Sequence, residues 1–397
     1  MQSQSYLDSL IQNKTNYAEE QAKNMDDIDT VIRFLYDDFP IRTVKEELER
    51  EIELRADELE VTHEEVIKVL KKKCGDVNVS NWLGGKAKAF TKDSAIKIAF
   101  AMQMSASKAS WFLKQSCGLD GLYMRDIKDV IYSFCLNAKM EYSLAEDLIE
   151  KYKGEVNNPN PDPVVSEVIG ERITTFLEKS VVKASTINEL DDFIIRNLAY
   201  FGTFRRKSYE CFRELYDEIC KTEKSFNVIR EGTVSAEEPN IEEIFEQISM
   251  KIPSLRGRKS IISDVLKKIA EDAISRTTIS EIVNKNALRA GKKITEVKRK
   301  HLLLMWLWVK SGTPDFFEYP NIQTAFDECV RVINDDLLEP CGMPRLDPRN
   351  PFDWIILNAL NYAYFSGTDE EDEEDDIDTI ERIKAIMERL FSGSDEL

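Results

Sequence analysis

The chain has 397 residues, with 54 Lys and Arg against 73 Asp and Glu and a formal net charge of −19. That balance excludes a uniformly basic nucleic-acid coat, so any contact with a polyanion must come from a local basic face. A hydrophobic content of 42% supplies enough apolar surface for more than one core, and the length predicts about two to three domains.

The longest apolar run, Leu302 to Val309, is eight residues, against the roughly 20 that a bilayer-spanning helix needs. No membrane segment is expected. The first residues, Met1-Gln-Ser-Gln-Ser-Tyr, show no basic and apolar leader. The cysteines, Cys74, Cys117, Cys135, Cys211, Cys220, Cys329 and Cys341, form no Cys-x-x-Cys pair. An odd count without a framework predicts reduced thiols in a cytoplasmic protein.

Helical periodicity runs along the chain. Residues 1–42 read as an N-terminal helical segment and 43–155 as a helical domain. Start signals pairing a hydroxyl with an acid three residues on occur at Thr62/Glu65, Ser143/Glu146 and Thr186/Glu189. Ile127, Val130, Ile131, Phe134 and Ala138 step along one helix face. Asn157-Asn158-Pro159-Asn160-Pro161-Asp162-Pro163 cannot continue a helix, so 156–163 reads as a linker.

Residues 164–365 read as a second helical region, for sensing or for docking a partner. Phe226 to Val234 is the one stretch that could form a hairpin. Ile262, Val265, Leu266, Ile269 and Ala273 again mark a helix face, and Asn350-Pro351 reads as a cap followed by proline in a first turn. Leu302 to Val309, and Phe352, Trp354, Ile355, Ile356 and Leu360, are expected in a core, with a partner interface as the lesser reading. Residues 366–376 contain eight consecutive acids, Asp369 to Asp376, and read as a disordered loop before a last helix in 377–397. No repeat of fixed period is evident. The expected fold class is all-α.

The stretch with chemical character lies between Thr62 and Cys117. Thr62 to Lys73 reads as a helix, Cys74-Gly75-Asp76 as a turn and Asn78 to Leu83 as a short helix. Gly84 to Phe90 reads as a loop, Lys92 to Met104 as an almost wholly apolar helix, and Ser105 to Gln115 as another. Asn78, Ser80 and Asn81 are short polar side chains suited to base edges, since Asn can pair with adenine through two hydrogen bonds. Eight lysines stand against four acids between His63 and Lys97, a local +4. Lys86, Lys88 and Lys92 are the expected phosphate contacts. The plainer reading of such lysines is a solvated face, and the plainer reading of Trp82 is core.

Val79-Ser80-Asn81-Trp82-Leu83-Gly84-Gly85-Lys86 and Ile98-Ala99-Phe100-Ala101-Met102-Gln103-Met104-Ser105 resemble the third and fourth helices of the lambda-repressor/Cro-type (XRE-like) helix-turn-helix family, over about residues 62–117. Leu83 stands where that family has an acid, and the turn from Lys71 to Asp76 departs from its usual spacing. The resemblance implies a reading helix in the major groove and dimers on two half-sites.

A second basic stretch, Lys251 to Lys300, holds 14 basic residues and five acids. Arg256, Arg258, Lys259, Lys292 and Lys293 could meet phosphate there. They could equally form a solvated face, or serve as the partner of the Asp369 to Asp376 run, which would then mimic phosphate when DNA is absent.

Enzyme signatures are absent from the sequence. Only His63 and His301 occur, and His63-Glu64-Glu65-Val66-Ile67 lacks the second His of a zinc helix. Gly84-Gly85-Lys86 does not complete a phosphate loop, because Ala87 stands where a magnesium-binding hydroxyl is needed. No catalytic residue, metal or cofactor is expected. The leading expectation is a DNA-binding transcriptional regulator of bacterial or phage type, acting on double-stranded DNA and with a homodimer or protein partner. The other is a non-enzymatic adaptor or inhibitor, as in a defence or mobile-element system, that docks a protein and uses the helix-turn-helix structurally.

Overall fold

Local start and stop signals set most of the elements. The structure is a computed structural model that describes residues 6–156, 177, 179–181, 183–202, 206–219, 263–273, 297–310, 322–366 and 379–392. In chain order the helices are α1 (Tyr6–Asn24), α2 (Ile28–Asp37), α3 (Val44–Leu59), α4 (His63–Cys74), α5 (Asp76–Leu83), α6 (Lys92–Ala101), α7 (Ala106–Gln115), α8 (Ile127–Asn137), α9 (Tyr142–Lys151) and the short α10 (Lys153–Val156). There follow α11 (Ile187–Asn197), α12 (Arg206–Ile219), α13 (Asp264–Asp272), α14 (Arg299–Lys310), α15 (Ile322–Arg331), α16 (Pro351–Ser366) and α17 (Thr379–Ser392). A π-helical turn (Val332–Leu338) and a 3-10 turn (Glu339–Cys341) prolong α15.

The described residues contain no strand, and the fold is all-α. Among them no helix is long and apolar enough to cross a membrane. The hairpin expected at Phe226 to Val234, linker residues 157–163 and acidic residues 367–376 lie outside the described residues, as do Arg256, Arg258, Lys259, Lys292 and Lys293.

The chain divides into two units. Unit 1 is Met1–Asp8, Thr43–Phe204 and Gly342–Pro344; unit 2 is Ser9–Arg42, Arg205–Cys341 and Arg345–Leu397.

Unit 1 is built around α6, where Ala95, Ile96, Ile98, Ala99, Phe100 and Ala101 are all buried. Helices α4, α7, α8 and α9 pack on it, and α3 packs on α4 and α5. The capping boxes at Thr62/Glu65 and Thr186/Glu189 form. The one read at Ser143/Glu146 does not. Helix α9 begins two residues earlier than that cap implies, at Tyr142, with Glu141 at the cap, and the Glu146 carboxylate accepts from the Tyr132 hydroxyl at 2.7 Å. Helix α6 also ends sooner than its apolar run, at Ala101, because Gln103 turns left-handed (φ 52°) and the Met104 amide bonds back to Ala99.

Unit 2 buries the apolar run Leu302 to Val309 on α14, which packs on α12 and α17. Phe352, Trp354, Ile355, Ile356 and Leu360 of α16 are buried as well. Asn350 caps α16, its side-chain oxygen accepting from the Phe352 amide at 3.0 Å. The sequence reading set residues 1–42 apart, yet Ser9–Arg42 is built into unit 2. Side chains near the far end of the chain hold backbone carbonyls of this early segment. Trp354 Nε1 donates to Ala18 (2.8 Å), Asn358 Nδ2 to Ala22 (3.0 Å) and Met25 (2.7 Å), and Asn361 Nδ2 to Lys23 (2.9 Å). Arg382 donates to Met25 and Asp26 (3.1 and 2.8 Å), and Arg349 to Pro40 and Ile41 (3.0 and 3.3 Å).

A buried ion pair joins α14 to α16. Arg299 grips Asp353 with two donors, at 2.7 and 2.8 Å, and the Asp347 amide adds a third at 2.9 Å. Burial pushes the Asp353 carboxyl up, while Arg299 and the amide pull it down; Asp353 in turn holds Arg299 above its usual range. Three donors converging on one carboxylate favour the ionised pair. Asp353→Ala leaves a largely covered guanidinium without its counter-charge and is expected to lower stability by up to about 3 kcal/mol, read from the urea midpoint.

Two residues along α14 from Arg299, His301 is fully buried. Its Nδ1 accepts from the Lys298 amide at 3.0 Å, which places the proton on Nε2, and Nε2 has no partner among the described residues. Burial, with Lys300 and Lys298 nearby, pushes the imidazole down to about 4. A folded value below the unfolded one, about 6.5, means the unfolded chain takes up the proton first. Stability is therefore lost as pH falls from about 6.5 to about 4, by up to roughly 3 kcal/mol from this group. Urea titrations at pH 7 and pH 5 should show a smaller loss in His301→Leu than in the unaltered chain.

Candidate nucleic-acid interface

Helix α4 follows from its cap and its spacing. Thr62 and Glu65 close a capping box, Val66, Leu70 and Cys74 point inward, and Lys71, Lys72 and Lys73 occupy the last turn, where cations suit the helix dipole. Burial pushes the Cys74 thiol up to about 11, so it is no nucleophile at neutral pH.

The chain then turns at a single residue. Gly75 sits at φ 93°, ψ 133°, and α5 starts at Asp76, two residues before the sequence reading placed it. A side chain there would be strained, because L-residues avoid this region. Helix-turn-helix motifs commonly use about three to four turn residues, so the joint is tighter than in that arrangement.

Two residues orient α5. Val79 and Trp82 are buried, and Trp82 packs against Phe90, which packs against Phe112. At about 100° per residue, fixing 79 and 82 inward turns 77, 80 and 81 outward. Ser80 is exposed, Asn81 is half-buried, and Val77 is 73% exposed. Asn78 is exposed on the opposite flank of α5, and its Nδ2 donates to the Cys74 carbonyl at 2.8 Å. There it lines a cleft of about 240 Å³ with Cys74, Trp82, Asp93, Ser94 and Lys97. The three polar residues grouped by the sequence reading therefore separate, with Ser80 and Asn81 on the outward arc and Asn78 beside the cleft.

Past α5 the backbone closes tightly. The Gly84, Gly85 and Lys86 amides donate to Ser80, Trp82 and Asn81, and a Cβ on Gly84 would meet the Ser80 carbonyl oxygen at 2.8 Å. This turn presents Lys86 and Lys88 at the surface just beyond α5, while Lys72 is exposed just before it. Lys92 behaves differently. It is half-buried, and its Nζ lies 2.6 Å from the buried Asp129 carboxylate, which also accepts from the Tyr123 amide at 2.8 Å. Lys92 ties α6 to α8. Lys71 pairs with Asp76 (2.8 Å) and Lys73 with Glu141 (3.0 Å). The net +4 of this segment is thus unevenly available.

The sequence reading missed Val77 and Asp129. Val77 was legible, since Val79 and Trp82 at i, i+3 already define the inward arc. Asp129 was not, because an acid in the first turn of a helix reads as solvated until Lys92 is seen beside it.

His63 is exposed in the first turn of α4. Among the described residues no three His, Cys, Asp or Glu side chains gather as a metal site. Compared with protein-family profiles, with curated proteins and with solved structures, the chain matches none.

The two kinds of lysine are separable. Lys92→Met removes a charged donor from buried Asp129 and is expected to cost about 1–3 kcal/mol. Lys86→Met is expected to change stability by less than about 0.5 kcal/mol. Thermal or urea unfolding of the two variants side by side checks this.

Proposed function

We propose that this protein is a non-enzymatic regulator that binds double-stranded DNA through unit 1, with α5 offered to the major groove. The observation that carries this reading is the outward arc of α5, with Lys72 exposed before the helix and Lys86 and Lys88 after it. Ser80 and Asn81 are the side chains suited to base edges, and Val77 is suited to a thymine methyl group. The lysines would fix register on the phosphates. The resemblance to lambda-repressor/Cro-type proteins supports the same helix as the reader and adds binding as a dimer. The acidic remainder of the chain would confine DNA to this face through repulsion elsewhere.

A second reading rests on the one-residue joint at Gly75 and on two exposed valines, Val69 and Val77. An exposed valine on each helix of a tightly hinged pair suits a protein partner, with the helix pair acting as a docking scaffold.

The test is binding of the full chain to a fluorescent duplex pool across 50–300 mM salt. Three phosphate contacts predict an affinity loss of about 40-fold between 50 and 200 mM salt. Lys72, Lys86 and Lys88 changed together to Glu should abolish binding while the protein stays folded, and Ser80→Ala with Asn81→Ala should flatten sequence preference. A folded wild-type chain that binds no duplex at 50 mM salt overturns the DNA reading in favour of the docking one.

A further inference from the structure

Two thiols that are 130 residues apart in the chain meet inside unit 2. Cys341 Sγ lies 3.9 Å from Cys211 Sγ, and the two residues are only 6% and 7% exposed. Cys211 is on α12. Cys341 ends the 3-10 turn that follows the π-helical turn, and the next residue, Gly342, stands at φ 67°. We propose that Cys211 and Cys341 are a redox pair that closes into a reversible disulfide when the protein meets a peroxide.

A disulfide needs its sulfurs about 2.05 Å apart, so they must approach by roughly 2 Å. The glycine and the irregular turn beside Cys341 are where the backbone can give. The facing Cys341 sulfur and burial hold Cys211 as a thiol at neutral pH, so the pair stays reduced until an oxidant arrives and a local opening frees one sulfur as thiolate.

That thiolate attacks the peroxide oxygen. The O–O bond breaks, a sulfenic acid forms, and hydroxide leaves and takes a proton to become water. The second sulfur, giving up its proton, then attacks the sulfenic sulfur and displaces the oxygen as a second water. Two thiols lose two electrons and two protons, and one peroxide becomes two waters. The product fastens α12 to the turn Glu339–Cys341 and closes a long loop, the geometry in which a cross-link most constrains the unfolded chain. The proposal is independent of how unit 1 is used.

The experiment treats the native full chain with hydrogen peroxide, blocks remaining thiols with iodoacetamide, and maps the unreduced digest by mass spectrometry. The expected result is one peptide pair joining Cys211 to Cys341, two hydrogens lighter than the free peptides, reversed by dithiothreitol and lost in Cys341→Ser. The oxidised protein should also unfold at a higher urea concentration than the same sample after reduction, a comparison that needs no variant. Recovery of both residues alkylated, over-oxidised singly or joined to Cys220 overturns the proposal. So does a cross-link that forms only in denaturant.

Discussion

Carbonyl oxygens covered by packed helices need donors, and in unit 2 those along the last turns of α1 and just beyond it find them on α16 and α17. Trp354, Asn358, Asn361 and Arg382 reach Ala18, Ala22, Lys23, Met25 and Asp26 across more than 330 positions of sequence. Each buried polar group left without a partner costs about 1–3 kcal/mol, so these bonds dictate where the first helices lie. The same logic runs through the Pro40–Arg42 stretch, where Arg349 takes two carbonyls and Asp347 holds Arg42 at 2.7 and 3.1 Å. Early and late segments of the chain belong to one core because their polar groups complete one another.

Unit 1 solves the converse problem. Its central helix α6 is apolar on nearly every side, so the polar groups at its start must be satisfied locally. Thr91 and Ser94 close a capping box, and Lys92 goes to Asp129. That assignment takes Lys92 out of the surface charge, as Asp76 and Glu141 draw in Lys71 and Lys73. Lys72, Lys86 and Lys88 stay exposed at the two ends of α5. A contact with DNA made there would depend on position rather than on net charge, in keeping with a chain of −19.

Much of this was legible in one dimension. Val66 and Leu70 beside the Thr62/Glu65 cap give α4. The run Ala95 to Ala101 gives a buried α6, and Leu302 to Val309 gives the centre of unit 2. These succeed because capping and amphipathic spacing are local, acting within one or two turns. The candidate site was legible in its parts, since Trp82 inward and Ser80 outward follow from spacing. It failed at Ser143, where Glu146 serves Tyr132 instead of a cap, and at Asn78, whose amide turns back to Cys74. In both, a competing partner within reach took the hydrogen bond.

By itself the sequence determined an all-α chain, the positions of most helices, the absence of a long apolar span and the inward Trp82 of α5, because periodicity and capping need no knowledge of distant residues. Only the tertiary structure decided that Ser9–Arg42 joins the C-terminal helices, that Lys92 pairs with the buried Asp129, that His301 is sealed as a neutral imidazole, and that Cys211 meets Cys341. Apart from His301, whose hydrogen-bond partner Lys298 is a near neighbour in the chain, each of these is a pairing between residues far apart in sequence. Its energy comes from burial and a partner's charge or hydrogen bond, and neither exists until the chain has folded.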